Sequence, residues 1–207
     1  MAAAPNLPMS ETVIRNITID DTFTPTPQGI VVNQGDTINF TNNSGVDIVI
    51  EFQTNSPGQP VYPPMNLEID DGDSNGFTAP NYDCAANYYI YNGTNLVGPF
   101  VIQVGAGPMY VVVTQSGTTV TYAPQTVAVP LGSILPPGLG KLEMQGPSTS
   151  LPVAWKNNSD PFNPPIQATD GVSHPVNSSA TDGGYTYFAG PSPIENPTGG
   201  RVIVQGS

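Results

Sequence analysis

Apolar and polar residues alternate in short runs along this chain, and Gly, Pro, Asn and Asp separate the runs. The run Thr37-Ile38-Asn39-Phe40-Thr41 is the clearest, because every second side chain is apolar and Ile38 and Phe40 fall on one face of a strand. The same reading predicts strands over 13–19, 30–32, 37–41, 47–52, 67–69, 88–91 and 100–104. It predicts further strands over 109–114, 119–122, 127–129, 153–156, 185–189 and 201–205. No stretch carries a helical period long enough for a helix, so the pattern predicts an all-β protein.

Three phrases recur in the same order. Residues 38–44 (Ile-Asn-Phe-Thr-Asn-Asn-Ser) echo residues 153–159 (Val-Ala-Trp-Lys-Asn-Asn-Ser), 27–35 echo 124–132, and 88–93 echo 185–190. Ordered self-similarity of this kind implies two copies of one β domain. The expected organisation is a tail over 1–11, a first domain over 12–105 and a second over 106–207, joined at Gly105-Ala106-Gly107-Pro108. The first and third echoes are offset by 97 residues (27 to 124, 88 to 185) and the second by 115 (38 to 153), which implies an inserted loop over 133–152.

Composition narrows the picture. At 207 residues there is room for two domains of ordinary size, and 22 Gly with 24 Pro suit short strands joined by tight turns. Sixteen acidic residues against four basic ones give a net charge of −12. That balance leaves no electrostatic footprint for nucleic acid or anionic lipid, and no segment is apolar enough to insert in a membrane. Cys84 is the single cysteine, so no disulfide forms within the chain. Residues 1–15 contain no signal-peptide run, and both a cytoplasmic and a mature extracellular location stay open.

The repeated unit resembles the cupredoxins, the plastocyanin and azurin family of blue-copper β-sandwiches. Phe23-Thr24-Pro25, the Gly35-Asp36 turn, the aromatic strand ending Phe40-Thr41-Asn42, Tyr89-Ile90-Tyr91, and Gly98 before a last strand carry the likeness. Tyr122-Ala123-Pro124, Trp155-Lys156-Asn157, Tyr185-Thr186-Tyr187 and Gly200-Arg201 carry it in the second half. The resemblance implies two tandem Greek-key sandwiches. It also implies where copper ligands would stand: the Cys position at Asn92 and Ala189, and the first His position beside Asp47 and Asn163. A blue-copper centre needs two imidazoles and a thiolate. This chain has one His and one Cys, so it cannot assemble that set by itself.

Other candidates are read from the residues. Asp71, Asp73 and Asn75 match the first half of a calcium loop, with Gly76 at the bend and Tyr82 where the bidentate Glu would stand. The competing reading is an acidic turn between strands. His174 beside Pro175 reads as a solvated turn residue, and Cys84 beside Asp83 as a small packed residue with a raised pKa. Ile134, Leu135 and Leu139 in the Pro- and Gly-rich loop, together with Tyr91 and Tyr187, form a candidate contact surface. The expectation is a copper-free structural or interaction protein, not an enzyme, that self-associates and has no cofactor unless calcium. The tail over 1–11 is expected to contribute to that association. The alternative is a small-ligand or carbohydrate-binding module, with electron transfer the weakest reading.

Overall fold

The computed structural model describes residues 12–53, 66–131, 140–147, 151–156, 160–190 and 199–205. Every named element is a strand. The first half holds β1 (Ile14–Ile19), β2 (Pro25–Thr26), β3 (Gly29–Val32), β4 (Thr37–Asn42), β5 (Ile48–Gln53), β6 (Leu67–Ile69), β7 (Ser74–Thr78), β8 (Cys84–Tyr91) and β9 (Leu96–Val104). The second holds β10 (Met109–Ser116), β11 (Thr119–Ala123), β12 (Thr126–Pro130), β13 (Lys141–Gln145), β14 (Val153–Trp155), β15 (Asp170–Pro175), β16 (Gly183–Ala189) and β17 (Gly200–Gln205).

These strands form four sheets, and the two halves share one strand order. The sheet β2-β1-β4-β7 is matched by β11-β10-β13-β15, and β3-β9-β8-β5 is matched by β12-β17-β16-β14; β6 extends the first half only. Parallel neighbours fall at the same places, β1 with β4 and β10 with β13, β3 with β9 and β12 with β17. The two sheets of the first half close over Ile17, Phe40, Ile50 and Tyr88, with the rings of Phe40 and Tyr88 edge to face at 5.3 Å. The second core centres on Tyr187, whose ring lies 5.2 Å from Tyr122 and 5.4 Å from Trp155. Edge-to-face and tilted pairs of this kind add to area burial through the ring quadrupoles. The all-β, two-sandwich architecture expected from the pattern is the one observed.

Topology corrects the internal register. Trp155 pairs with Tyr187 as Phe52 pairs with Tyr88, so β14 is the counterpart of β5 and not of β4, as the echo of 38–44 with 153–159 implied. The counterpart of β4 is β13, which lies inside the segment read as an inserted loop. Tyr185 stands opposite Val202 in the place that Ala86 holds opposite Ile102, and so Tyr88 corresponds to Tyr187. Both are fully buried, and burial pushes both phenols well above their ordinary pKa. Tyr187 therefore belongs to the core and not to a contact surface. A Cβ at Gly200 would collide with the Tyr187 ring and hydroxyl, which is why glycine stands opposite it.

The two halves meet through strands buried on both faces. Ile30-Val31-Val32 of β3, Phe100 to Val104 of β9 and Val127 to Pro130 of β12 are buried along their whole length, as expected of strands covered on both sides. Val101 of β9 packs into the core of the second half. Three carboxamides cross this seam. Asn87 donates to Ala128 O and accepts from Ala128 N, both at 3.3 Å; Gln103 accepts from Lys141 N at 3.1 Å; Gln205 donates to Pro99 O at 2.8 Å. At Gly29 a Cβ would come within 3.0 Å of Gln205, so the backbones here approach as closely as glycine allows.

Replacing Asn87 with Ala orphans the Ala128 peptide inside the seam, at a cost of about 1–3 kcal/mol for each buried group left unpaired. Urea denaturation of Asn87→Ala is expected to show a loss of that size, against the under ~0.5 kcal/mol typical of a surface substitution. A loss no larger than the surface value would mean that the pairing does not hold the halves together.

Candidate functional site

The residues at the proposed ligand positions of the first half do come together. The start of β5, the end of β6 and the end of β8 enclose a cleft of about 280 Å³ lined by Asp47, Val49, Glu68, Asp70, Tyr91 and Asn92, among others. Close by, Asn42 is fully buried, and its amide donates to Val46 O at 2.8 Å and Ile69 O at 3.0 Å. Those two bonds tie the β4–β5 turn to β6 and fix where Asp47 stands.

Asp47, Tyr91 and Asn92 of the cleft are engaged in holding its own turns. Asp47 accepts from Asp71 N at 3.1 Å. The Asn92 side-chain oxygen accepts from Thr94 N, Thr94 Oγ1 and Asn95 N at 3.1, 3.0 and 2.8 Å, the pattern by which Asn closes a turn on its own backbone. The Tyr91 hydroxyl donates to Gly93 O at 2.8 Å. A blue-copper centre calls for soft sulfur and imidazole nitrogen, whereas this end of the sandwich offers carboxylate and carboxamide oxygens. The donor set does not fit copper.

In the second half the structure separates what the register had joined. Ala189 is a buried core residue opposite Val153, the counterpart of Ile90 opposite Ile50. Its N–H donates to the Tyr122 hydroxyl at 3.0 Å. The position matching Asn92 is Pro191, which lies outside the described residues, as do Ile134, Leu135, Leu139 and the tail over 1–11. Asn163 donates its backbone N–H to Pro175 O at 2.9 Å and anchors the loop beside β15.

The calcium half-match divides between a turn and a strand. Asp71 accepts from Gly45 N at 2.9 Å and precedes Gly72, whose φ of +80° turns the chain. Asn75 lies in β7 opposite Phe40, and its side chain serves Glu68 O and Gly76 N. Among the described residues no three His, Cys, Asp or Glu side chains are grouped to hold a metal ion.

His174 is buried, in contrast to the solvated residue expected. Its Nδ1 lies 3.1 Å from Pro164 O, to which it donates, and its Nε2 lies 3.5 Å from Asp170. Neighbouring Ser173 donates to Glu143 at 3.2 Å instead, so this serine and histidine form no nucleophile–base pair. Asp160 caps the loop by accepting from Phe162 N and Ile166 N at 2.9 and 2.8 Å, and burial nonetheless raises its carboxyl above the usual range. Half-buried Cys84 has its thiol pushed up to about 11, first by desolvation and then by the Asp83 charge.

The residues that sequence reading missed are the seam carboxamides. Asn87 and Gln103 each interrupt an apolar run (Ala-Ala-Asn-Tyr, Val-Ile-Gln-Val) and Gln205 ends one (Val-Ile-Val-Gln), and a lone amide in a buried strand was the available signal.

No family model and no curated protein matches the sequence. Solved structures similar to it include a purple cupredoxin from Nitrosopumilus maritimus, at 16% identity over 44% of this chain and 98% of that one, with a TM-score of 0.33. A copper nitrite reductase from Nitrosomonas europaea is 12% identical over 95% of this chain and 94% of that one, with a TM-score of 0.34. The multicopper oxidase mgLAC is 11% identical over 95% and 86%, with a TM-score of 0.38. Those proteins are named for copper. The reading of this chain rests on its own residues.

Two outcomes follow for the isolated protein. Titration with copper is expected to produce no intense visible charge-transfer band; a blue or purple band would overturn the ligand assignment. Because only the thiolate is nucleophilic, Cys84 with its raised pKa should react slowly with a disulfide reagent at pH 8 and faster as pH climbs toward about 11. Rapid labelling at pH 8, equal to that of a small free thiol, would contradict its burial.

Proposed function

We propose that this chain is a copper-free structural protein, two cupredoxin-like sandwiches joined into one unit that builds an assembly with other chains. The observation that carries the reading is the seam. Strands buried on both faces and three buried carboxamides join the halves, so the sequence invests in a fixed shape. The end of the first sandwich supports the same reading, since its oxygen donors brace turns and its chemistry is unsuited to copper. The cleft beside Tyr91 favours a second reading, a small-ligand module.

A native mass spectrum across a concentration series separates the two. Multiples of the bare 21.6 kDa subunit are the expected result. A monomer carrying extra mass that is lost on Tyr91→Ala would overturn the structural reading in favour of ligand binding.

A further inference from the structure

We propose that Asn92 is a self-modifying residue, which the turn after β8 converts to aspartate and isoaspartate with water as the sole co-reactant. The inference stands on the turn itself and not on the structural reading above.

The chemistry balances without an enzyme. The backbone nitrogen of the residue after an asparagine attacks the side-chain carbonyl carbon, and its proton passes to water. The bond from that carbon to Nδ2 then breaks, ammonia leaves, and a cyclic succinimide remains. Water opens the ring at either carbonyl and yields aspartate or isoaspartate. The rate depends on a nitrogen free to attack, on stabilisation of the negative charge that develops on Oδ1, and on release of Nδ2. Glycine in the following position offers its nitrogen with no side chain in the way and with the freest backbone. Only Asn75-Gly76 and Asn92-Gly93 have that sequence, so the chain carries its own comparison.

At Asn92 all the requirements meet. Gly93 lies between β8 and β9 with φ at +86°, and its N–H has no hydrogen-bond partner among the described residues. Thr94 N, Thr94 Oγ1 and Asn95 N converge on Asn92 Oδ1 at 3.1, 3.0 and 2.8 Å. Donors placed in this way hold charge as it develops on a carbonyl oxygen, as an oxyanion hole does, and they make the attached carbon more electrophilic. Asn92 Nδ2 makes no hydrogen bond among the described residues, so nothing holds the leaving group.

At Asn75 each requirement is denied. Asn75 and Gly76 are paired in β7 opposite Phe40 and Asn39 of β4, and a Cβ at Gly76 would strike Ile38 O. Gly76 N–H is directed at Asn75 Oδ1, 2.8 Å away, so its hydrogen and not the face of its nitrogen meets the carboxamide. Nδ2 is held as well, donating to Glu68 O at 3.2 Å. Ring closure there takes the backbone out of strand geometry. The sheet protects Asn75.

The consequence falls on the cleft. Asn92 lines it together with Asp47, Glu68 and Asp70, so conversion adds a carboxyl to a cleft that already has three acidic residues. An aspartate carboxylate accepts the same three donors and keeps the turn. Isoaspartate lengthens the backbone by one carbon and displaces them. Each molecule thus records its age as charge at one end of the first sandwich.

The experiment incubates the full chain at mildly alkaline pH, folded and in urea, and follows the asparagine-to-aspartate mass gain at both sites by peptide mass spectrometry. Urea gives each site its rate without structure. Folding is expected to slow Asn75 at least about tenfold, because that site must open first. Asn92 is expected to convert in the folded chain as fast as in urea, or faster. Thr94→Val removes one donor and keeps the other two; it is expected to slow Asn92 at least about threefold in the folded chain and to leave the urea rate unchanged. Protection of Asn92 by folding equal to that of Asn75 would overturn the proposal. So would a folded Thr94→Val chain that converts at the wild-type rate. If circular dichroism shows that this variant has lost strand content, the wild-type comparison of folded chain with urea decides alone.

Discussion

An edge strand buried inside a molecule must find a partner for its outward peptide groups, and much of this structure follows from how β12 does so. β12 ends one sheet of the second sandwich and lies against the outer face of the first, away from water. The Asn87 side chain offers Ala128 one donor and one acceptor, the same pair that a neighbouring strand would supply. A carboxamide costs free energy to bury and returns it only when its bonds are made, so Asn87 holds one relative placement of the halves in preference to a slipped one. Gln103 and Gln205 repeat the device on either side. Around these bonds β9 is buried on both faces, and Val101 completes a core that belongs to the other half.

Most strands were legible in the sequence because half-buried strands write their alternation directly. The elements that escaped share a reason. β7 (Ser-Asn-Gly-Phe-Thr) and β15 (Asp-Gly-Val-Ser-His-Pro) are margins, exposed enough that selection for apolar alternation is weak. β13 does alternate, with Leu142 and Met144 inward, but it stood in a segment whose Pro and Gly suggested a loop. The shift in register has a different cause. An apolar residue two before an aromatic is what any half-buried strand produces, and Asn-Asn-Ser is what many turns use. Two strands from different sheets, β4 and β14, therefore carried the same phrase. Pairing partners settled the matter because they depend on the whole sheet.

The location of the cleft was legible and its state was not. The resemblance put copper-ligand positions at Asp47 and Asn92, and both residues line the cleft at one end of the first sandwich. That their oxygens are occupied by Asp71, Thr94 and Asn95 depends on turn geometry, which a sequence does not display. Asn75 shows the same limit. Its spacing from Asp71 and Asp73 suggests convergence on a cation, but the chain enters β7 at Ser74, where Asn75 stands opposite Phe40 and its side chain bonds Glu68 O and Gly76 N.

Charge distribution and burial are usually two views of one fact, since buried strands exclude charge. In this chain they coincide in β8, β9 and β12 and then part company. The neutral stretch continues past the seam into β10 and β11 and out to the exposed turn at Gly117-Thr118, where burial within the chain no longer accounts for it. The acids stand elsewhere in the chain, so the neutral stretch spans buried strands and exposed ones alike.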